Sequence, residues 1–472
     1  MLKKPGLPAM KLLPLTVMLL LAGCLNGCMV GPDYRRPAVQ APAQFKQAKG
    51  WTQAVPQDQA DKGEWWGVYQ DPVLSSLLRQ VKISNQNVAQ YDALYRQARA
   101  LSAASRANLY PTVTGTAGTT RSGTASSATT AHSAEVSASW ELDIWGKLRR
   151  TLEENQANAQ ASAAELANIT LSAQSELAQD YFQLRVMDQQ IALYQQSIAA
   201  YDRYLQIINN KYRAGSESRA TLAQAQTQLE SARASALDLQ WQRAQLEHAI
   251  AVLMGKAPAQ FSLPAAPLTA TLPRTPVELP AQLLQRRPDI AYAERSVAAA
   301  NAAIGVAQAA YYPDLTLSAS GGFQSSVLHN LISMPNRVWS LGPQLSGTLL
   351  DFGATKAGVE QAQAAYDASV ASYRQSVLDA FQEVENYLVE LSTLEQETAA
   401  QQRAAESAQE SARVTYNQYQ AGMIDYLDVA TTQNTSLSQQ QNLLSLRSTQ
   451  WVASVQLIAA LGGGWHGEGM QP

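Results

Sequence analysis

Charge is scarce in this chain: charged residues make up 15% of its 472, against roughly 25% in ordinary soluble domains. The net charge of −3 gives no reason to expect nucleic acid or anionic lipid headgroups as partners. Cysteine is nearly absent, and both copies, Cys24 and Cys28, fall near the start. No disulfide framework can therefore staple the rest. Histidine occurs only as His132, His248, His329 and His466, too scattered to suggest a metal motif. Phosphate-binding loop, zinc-helix and nucleophile-elbow motifs are all missing, so no enzymatic activity, cofactor or metal site is expected. Long apolar runs are missing too. The longest, Leu12 to Ala22, is broken by Pro14 and Thr16 and is about half the ~20 residues that a membrane helix needs. A chain of this kind that crosses a membrane must do so as a β-barrel.

What the first residues do contain is a signal peptide. Lys3, Lys4 and Lys11 supply the positive region ahead of the apolar run. Two lipoprotein-type cleavage boxes follow, Leu21-Ala22-Gly23-Cys24 and Leu25-Asn26-Gly27-Cys28. In either, the thiol would be acylated and become the new N-terminus. The first box has the more usual Ala before Gly, whereas cleavage at Cys28 leaves no orphan thiol in an oxidising periplasm.

The remainder repeats itself. Tyr110-Pro111 recurs 202 positions later as Tyr312-Pro313. Asp143-Ile144-Trp145-Gly146 recurs as Asp351-Phe352-Gly353, and Tyr212-Arg213-Ala214-Gly215 as Tyr419-Gln420-Ala421-Gly422, with both glycines offset by 207. Three matches in one order indicate an internal duplication, its halves separated by the Pro-rich stretch from Lys256 to Pro280.

Each half has the same plan. A helical segment ends at Tyr-Pro, since the residue before proline is pushed out of the helical region. Two strand-like runs follow, Thr112 to Thr120 with Ser133 to Leu142, then Leu315 to Phe323 with Trp339 to Leu350. Their length is close to the ~9–11 residues of a tilted membrane strand. A long rod comes next, free of Pro and Gly from Lys147 to Tyr212 and interrupted only by Gly358 from Ala354 to Tyr419. Its first copy carries an apolar seam from Leu177 through Tyr181, Leu184, Ile191, Tyr194, Ile198, Tyr201, Leu205 and Ile208 to Tyr212, with Asp188 the one polar intruder. Steps alternating between three and four residues define a coiled-coil face. Each rod stops at a glycine, Gly215 or Gly422, the residue that best takes a left-handed helix cap. A second helix then returns, so each half is a strand pair attached to a long helical hairpin.

Four strands cannot close a membrane barrel, and an open edge in hydrocarbon leaves backbone groups unpaired. Membrane strands would therefore have to be shared among subunits. Arg287-Pro288-Asp289-Ile290, Ala293-Glu294, Ala302, Ile304-Gly305 and Tyr312-Pro313-Asp314-Leu315 resemble the signature of the outer-membrane efflux protein family, the TolC-like channels. Cys28-Met29-Val30-Gly31-Pro32-Asp33-Tyr34 resembles the mature start of its lipoprotein subgroup, which favours Cys28 over Cys24. The resemblance implies a mixed fold: a homotrimer whose outer-membrane β-barrel, four strands per chain, continues into a coiled-coil barrel of long helices. It also implies a passive exit duct for drugs or other small toxic compounds, working with a periplasmic adaptor and an inner-membrane pump. The covalent lipid on the N-terminal cysteine is the only non-protein group implied. A secretion channel of the same fold and a pore-less coiled-coil lipoprotein are the rival readings.

The expected organisation is a signal peptide over 1–27, an anchor segment over 28–70, a first repeat over 71–255, a linker over 256–280, a second repeat over 281–461 and a tail over 462–472. The resemblance places a periplasmic aperture at the helix turns. Asp428, six positions after Gly422, falls where the family carries a constricting acid, and three copies would form a ring favouring cations. Asp425, Tyr419, Glu217 and Arg219 are the candidates for polar contacts that hold the turns closed. Thr221 stands at the first-half counterpart of Asp428, so the usual acidic partner is missing there.

Overall fold

The computed structural model describes residues 29–39, 64–268, 270, 272–273 and 287–463. Cys24, Cys28 and the signal peptide lie outside them, as do most of the anchor segment and tail. In chain order the elements are α1 (Pro72–Ser84), α2 (Gln86–Ala107), β1 (Thr112–Gly123), β2 (Ala128–Leu142), α3 (Lys147–Arg213), α4 (Arg219–Leu253), α5 (Pro288–Ala309), β3 (Asp314–Ser325), β4 (Arg337–Ser346), α6 (Ala354–Gln420) and α7 (Tyr426–Ala460). No helix among the described residues is long and apolar enough to cross a membrane.

Contacts divide the chain into two compact units. The first comprises Leu94–Ala163 and Tyr292–Arg374, with the described part of Met1–Ala38. It holds an antiparallel sheet in the order β1-β2-β3-β4. Successive strand residues point to opposite faces, and the register sorts them by chemistry. Val136 stands opposite Gly115 and Gly321, Trp140 opposite Leu317, and Leu315 opposite Leu142 and Leu345. With Val113, Leu341 and Trp339 these residues make one face apolar over most of its length, while Arg121, His132 and Arg337 lie on it toward the β1–β2 and β3–β4 connections. Ser137 stands opposite Thr114 and Ser320, and Glu135 opposite Thr116 and Gly322, so the other face is hydroxyl-rich and holds the strand acids Glu135, Glu141 and Asp314. Hydroxyl pairs bridge that face, Thr114 with Ser137 at 2.8 Å and Ser320 with Ser340 at 3.0 Å.

The largest departures from the expected strand limits are at the start of β2 and the end of β4. β2 starts at Ala128, not Ser133, so His132 stands inside a strand with Nδ1 2.7 Å from the Thr119 hydroxyl, not in a loop. β4 ends at Ser346, short of Leu350, because β3 begins opposite it at Asp314 and offers no partner beyond.

The N-terminal segment is fastened within the same unit. The fully buried Arg150 guanidinium donates to the carbonyls of Val30 and Gly31 at 3.1 and 3.0 Å, and Asn301 donates to that of Pro32 at 2.8 Å. Tyr34 donates to Glu294 at 2.8 Å. Gly31 has φ +97°, and a Cβ there would lie 2.5 Å from the Gly305 Cα, so two motifs far apart in sequence meet where neither tolerates a side chain.

The second unit comprises Ala164–Ala291 and the described parts of Val39–Ala93 and Gln375–Pro472. Its largest core packs Trp65, Trp66 and Tyr69 with Leu74, Leu78 and Val81 of α1 against Leu177 and Phe182 of α3 and Trp451 of α7. Asp71 caps α1 by accepting from the amides of Val73 and Leu74 at 2.9 and 3.0 Å, and Pro72 occupies the first helical position where its missing N–H costs nothing. Arg287 of the Arg-Pro-Asp motif pairs with Asp289 and Glu383 and donates to the Ala460 carbonyl at 2.9 Å. It thereby caps the end of α7.

Asp188, the polar intruder in the seam, has a structural cause. Its buried carboxylate accepts from Arg185 at 3.2 Å and Arg243 at 2.6 Å. The same two arginines donate to the carbonyls of Pro264 and Leu263 at 2.7 and 2.6 Å, and the Ala266 amide donates to Asp188 at 3.2 Å. A charge buried in this way is tolerated because every group around it is paired. The seam gives up one apolar contact and gains a clasp on the linker.

Candidate functional site

Both rods end in one local geometry. Gly215 and Gly422 take φ of +76° and +73°, in open space. Their amides donate to Tyr212 and Tyr419 carbonyls at 3.0 Å, and the next amides, Ser216 and Met423, reach back to Lys211 and Gln418 at 2.9 and 3.0 Å. This is the paired-bond cap that ends a helix in a left-handed residue.

The turns differ in what starts the return helix. Ser218 caps α4, its hydroxyl accepting from the Thr221 amide at 3.1 Å. Asp425 occupies the corresponding place before α7 and makes no side-chain cap bond. Asp428 is then the acid in the first turn of α7, where the positive end of the helix dipole favours a carboxylate. Asp425 and Asp428 are exposed, as is Arg219. Among the described residues these three side chains make no hydrogen bond or ion pair with one another or with neighbours.

Tyr419 and Glu217 do meet. The Tyr419 hydroxyl donates to Glu217 Oε1 at 3.2 Å, joining the turn of one hairpin to the turn of the other. Lys211, unremarked in the sequence, sits 4.2 Å from the centroid of the Tyr419 ring, a cation–π arrangement. Burial pushes the Tyr419 phenol up, and the neighbouring ammonium offsets part of that. Beneath lies an apolar cluster of Ile208, Ala225, Tyr426, Val429 and Ala430. The Tyr426 hydroxyl donates to Gln228 at 2.9 Å, Gln228 donates to Asn434 at 3.1 Å, and the rings of Tyr204 and Tyr416 lie 4.9 Å apart. Burial raises the Tyr426 phenol well above its ordinary range. The three-residue spacing of Tyr416 and Tyr419, which puts both rings on one side of α6, was the available signal for this cluster; Tyr426 opens α7 beyond the turn and gave none.

Comparison with known proteins fits this architecture. The family model described as outer membrane efflux protein matches residues 77–256 and again 279–463. CusC of Escherichia coli O6:H1, named a cation efflux system protein, is 30% identical over 97% of this chain and 99% of its own length. ArpC of Pseudomonas putida, named an antibiotic efflux pump outer membrane protein, is 30% identical over 94% of each chain. The solved outer-membrane channel OprN superposes with a TM-score of 0.86 at 28% identity, over 93% of this chain and 100% of that one. Sequence and fold together show that the chain belongs to the outer membrane efflux protein family.

Proposed function

We propose that three copies of this chain complete one twelve-stranded outer-membrane barrel, which serves as the passive exit duct of a tripartite efflux system. The observation that carries this reading is the sheet: one mainly apolar face, one hydroxyl-rich face, and, among the described residues, an unpaired edge on each of β1 and β4. The apolar face meets lipid and the hydroxyl face lines the lumen, as in other membrane barrels. Edges left open in hydrocarbon cost several kcal/mol per orphan group, and neighbouring copies supply the missing partners. The long hairpins of the same three copies extend into the periplasm, where an adaptor and an inner-membrane pump supply the energy. A lumen of small hydroxyls has no built binding site, so the pump selects the cargo. The equal identities to CusC and ArpC, named for different cargoes, support that division of labour. The cargo class is small toxic compounds.

The hairpin turns form the periplasmic aperture. Tyr419 and Glu217 act as its latch, with Lys211 holding the ring, and three Asp428 carboxylates form an acidic ring. Gly215 and Gly422 fix the turns. Cys28 carries the lipid: the Val30 amide donates to the Trp145 carbonyl at 3.0 Å, which holds the residues just after Cys28 against the end of the strand β2, beside the membrane surface.

Planar-bilayer recording of the purified protein tests the reading. Discrete, cation-preferring channels are expected, with Asp428→Ala shifting the reversal potential toward zero. Absence of conductance from a well-folded preparation overturns the duct, and an unchanged reversal potential overturns the acidic ring alone.

A further inference from the structure

The repeat offsets assign the contact that closes the barrel between copies. Within the chain the offsets are accurate to the residue. Thr112 stands opposite Ser139 in the β1–β2 pair, and shifting them by 202 and 207 lands on Asp314 and Ser346, which stand opposite each other in the β3–β4 pair. The β2–β3 pair, where Leu142 stands opposite Leu315, has no such counterpart inside the chain. The same offsets applied to it name one: Leu349 opposite Val113 of a second copy.

The side chains at that junction are conspicuously bare. Leu349 is 101% exposed, Phe352 93%, Leu350 72%, Val113 67% and Tyr110 65%. The counterparts at the junction inside the chain are less bare: Leu142, Trp145 and Leu315 are half-buried and Tyr312 is 41% exposed. Trp145, the counterpart of Phe352, stacks on Tyr312 at 4.6 Å and 21° between planes, and donates to the Pro313 carbonyl at 2.9 Å. Tyr312 and Pro313 are in turn the counterparts of Tyr110 and Pro111. Phe352 is moreover held at φ +53°, a backbone region that bulky residues rarely occupy. Asp351 fixes it there by accepting from the amides of Gly353 and Thr355 at 2.9 and 2.7 Å. A fully solvated aromatic in a costly backbone conformation indicates an absent partner.

We infer that β4 extends through Leu350 along β1 of a neighbouring copy, with Leu349 opposite Val113 and Phe352 stacked on Tyr110. This rests on the shared-barrel reading and specifies its seam. Parity agrees independently: Leu349 and Val113 both belong to the apolar face, so a register off by one residue would turn the Leu349 side chain into the lumen. It also accounts for the shortfall of β4, whose last residues lack only a partner. Leu345 then stands opposite Ala117 of the second copy, and Ser346 opposite Thr116, apolar against apolar and hydroxyl against hydroxyl.

Cysteine cross-linking of the full-length protein in native membranes tests the register, because both natural cysteines, Cys24 and Cys28, lie far from the seam in sequence. Directly opposed strand residues have Cα atoms about 4.5–5.5 Å apart, within disulfide reach. Leu349→Cys with Val113→Cys should therefore give linked dimers and trimers. Leu349→Cys with Ala117→Cys, about 13 Å out of register, should give at least about tenfold less product. Phe352→Ala should yield folded subunits that leave the trimer more readily in detergent, and Phe352→Tyr should retain its stability. Trimers by native mass that link at Ala117 and not at Val113, or that are indifferent to Phe352→Ala, overturn the seam and leave the shared barrel standing. Monomers throughout, in wild-type protein, overturn both.

Discussion

The two long hairpins match in length and differ in what they hold. α3 and α6 each span 67 residues, and α4 and α7 each span 35. The first carries the aromatic seam of Tyr181, Tyr194 and Tyr201 and the buried Asp188 clasp. At the corresponding depth the second has buried Ala405 and Ala412 and a glutamine pair, with Gln401 donating to Gln439 at 2.7 Å. Equal rods with unequal interiors separate two demands. Length serves the backbone's span, which both hairpins share, whereas the interior answers local neighbours. Among the described residues only the first hairpin clasps the linker, and only it buries a charge in its seam. At its turn the second carries an acid, Asp428, where the first has Thr221.

The contrast is sharpest at position 188 and its repeat, Glu395. Asp188→Leu strands two arginines beside the linker and should cost about 3–5 kcal/mol. Thermal unfolding followed by helical circular dichroism, with faster proteolysis near Pro264, would register it. Glu395 is exposed, and Glu395→Leu should stay within about 0.5 kcal/mol. Similar losses at the two sites would erase the distinction. Next in size, Gly215→Ala and Gly422→Ala place a Cβ at a positive φ and should each cost about 1 kcal/mol. Equal loosening is expected, read as faster hydrogen exchange at Ser216 and Met423; a marked inequality would mean that the two turns are not equivalent.

Tyr419→Phe removes the donor to Glu217, a part-buried bond worth about 0.5–1.5 kcal/mol. Single-channel recording should show longer openings, whereas unchanged gating would demote the contact to packing. The smallest effect concerns Asp180 on α3, whose carboxyl burial and the nearby Glu176 charge push up to about 7. A raised carboxyl favours the folded state below its unfolded range near 3.8 and loses that contribution as pH rises through about 7. The melting temperature should therefore fall as pH rises from about 4 to about 7 and level off above that, and Asp180→Asn should flatten that decline. The repeat position carries Tyr387, so no matching pH dependence is expected of the second hairpin.

Much of this was legible beforehand, each part for a nameable reason. Rod lengths followed from the absence of Pro and Gly, and the turns from Gly215 and Gly422, because single residues impose those features on the backbone. Tyr419 and Glu217 were both among the candidates for turn contacts, though the sequence did not pair them. Lys211, Gln228 and Tyr426 were not, since their roles arise from packing between helices that are some 200 residues apart in sequence. Asp188 stood out as an anomaly whose purpose could not be read, because its partners come from α4 and the linker as well as from its own helix. The composition of β4 pointed to a strand as far as Leu350, whereas the described strand stops at Ser346: composition reports propensity, while a strand also needs something to pair with.

By itself the sequence determined the duplication, the helix limits and the two-faced strands, for these depend on local stereochemistry and period. The tertiary structure alone decided which faces pair, where the buried charges find partners and which edges stay open. Register and ion pairing are relations between distant segments, and no residue carries them alone.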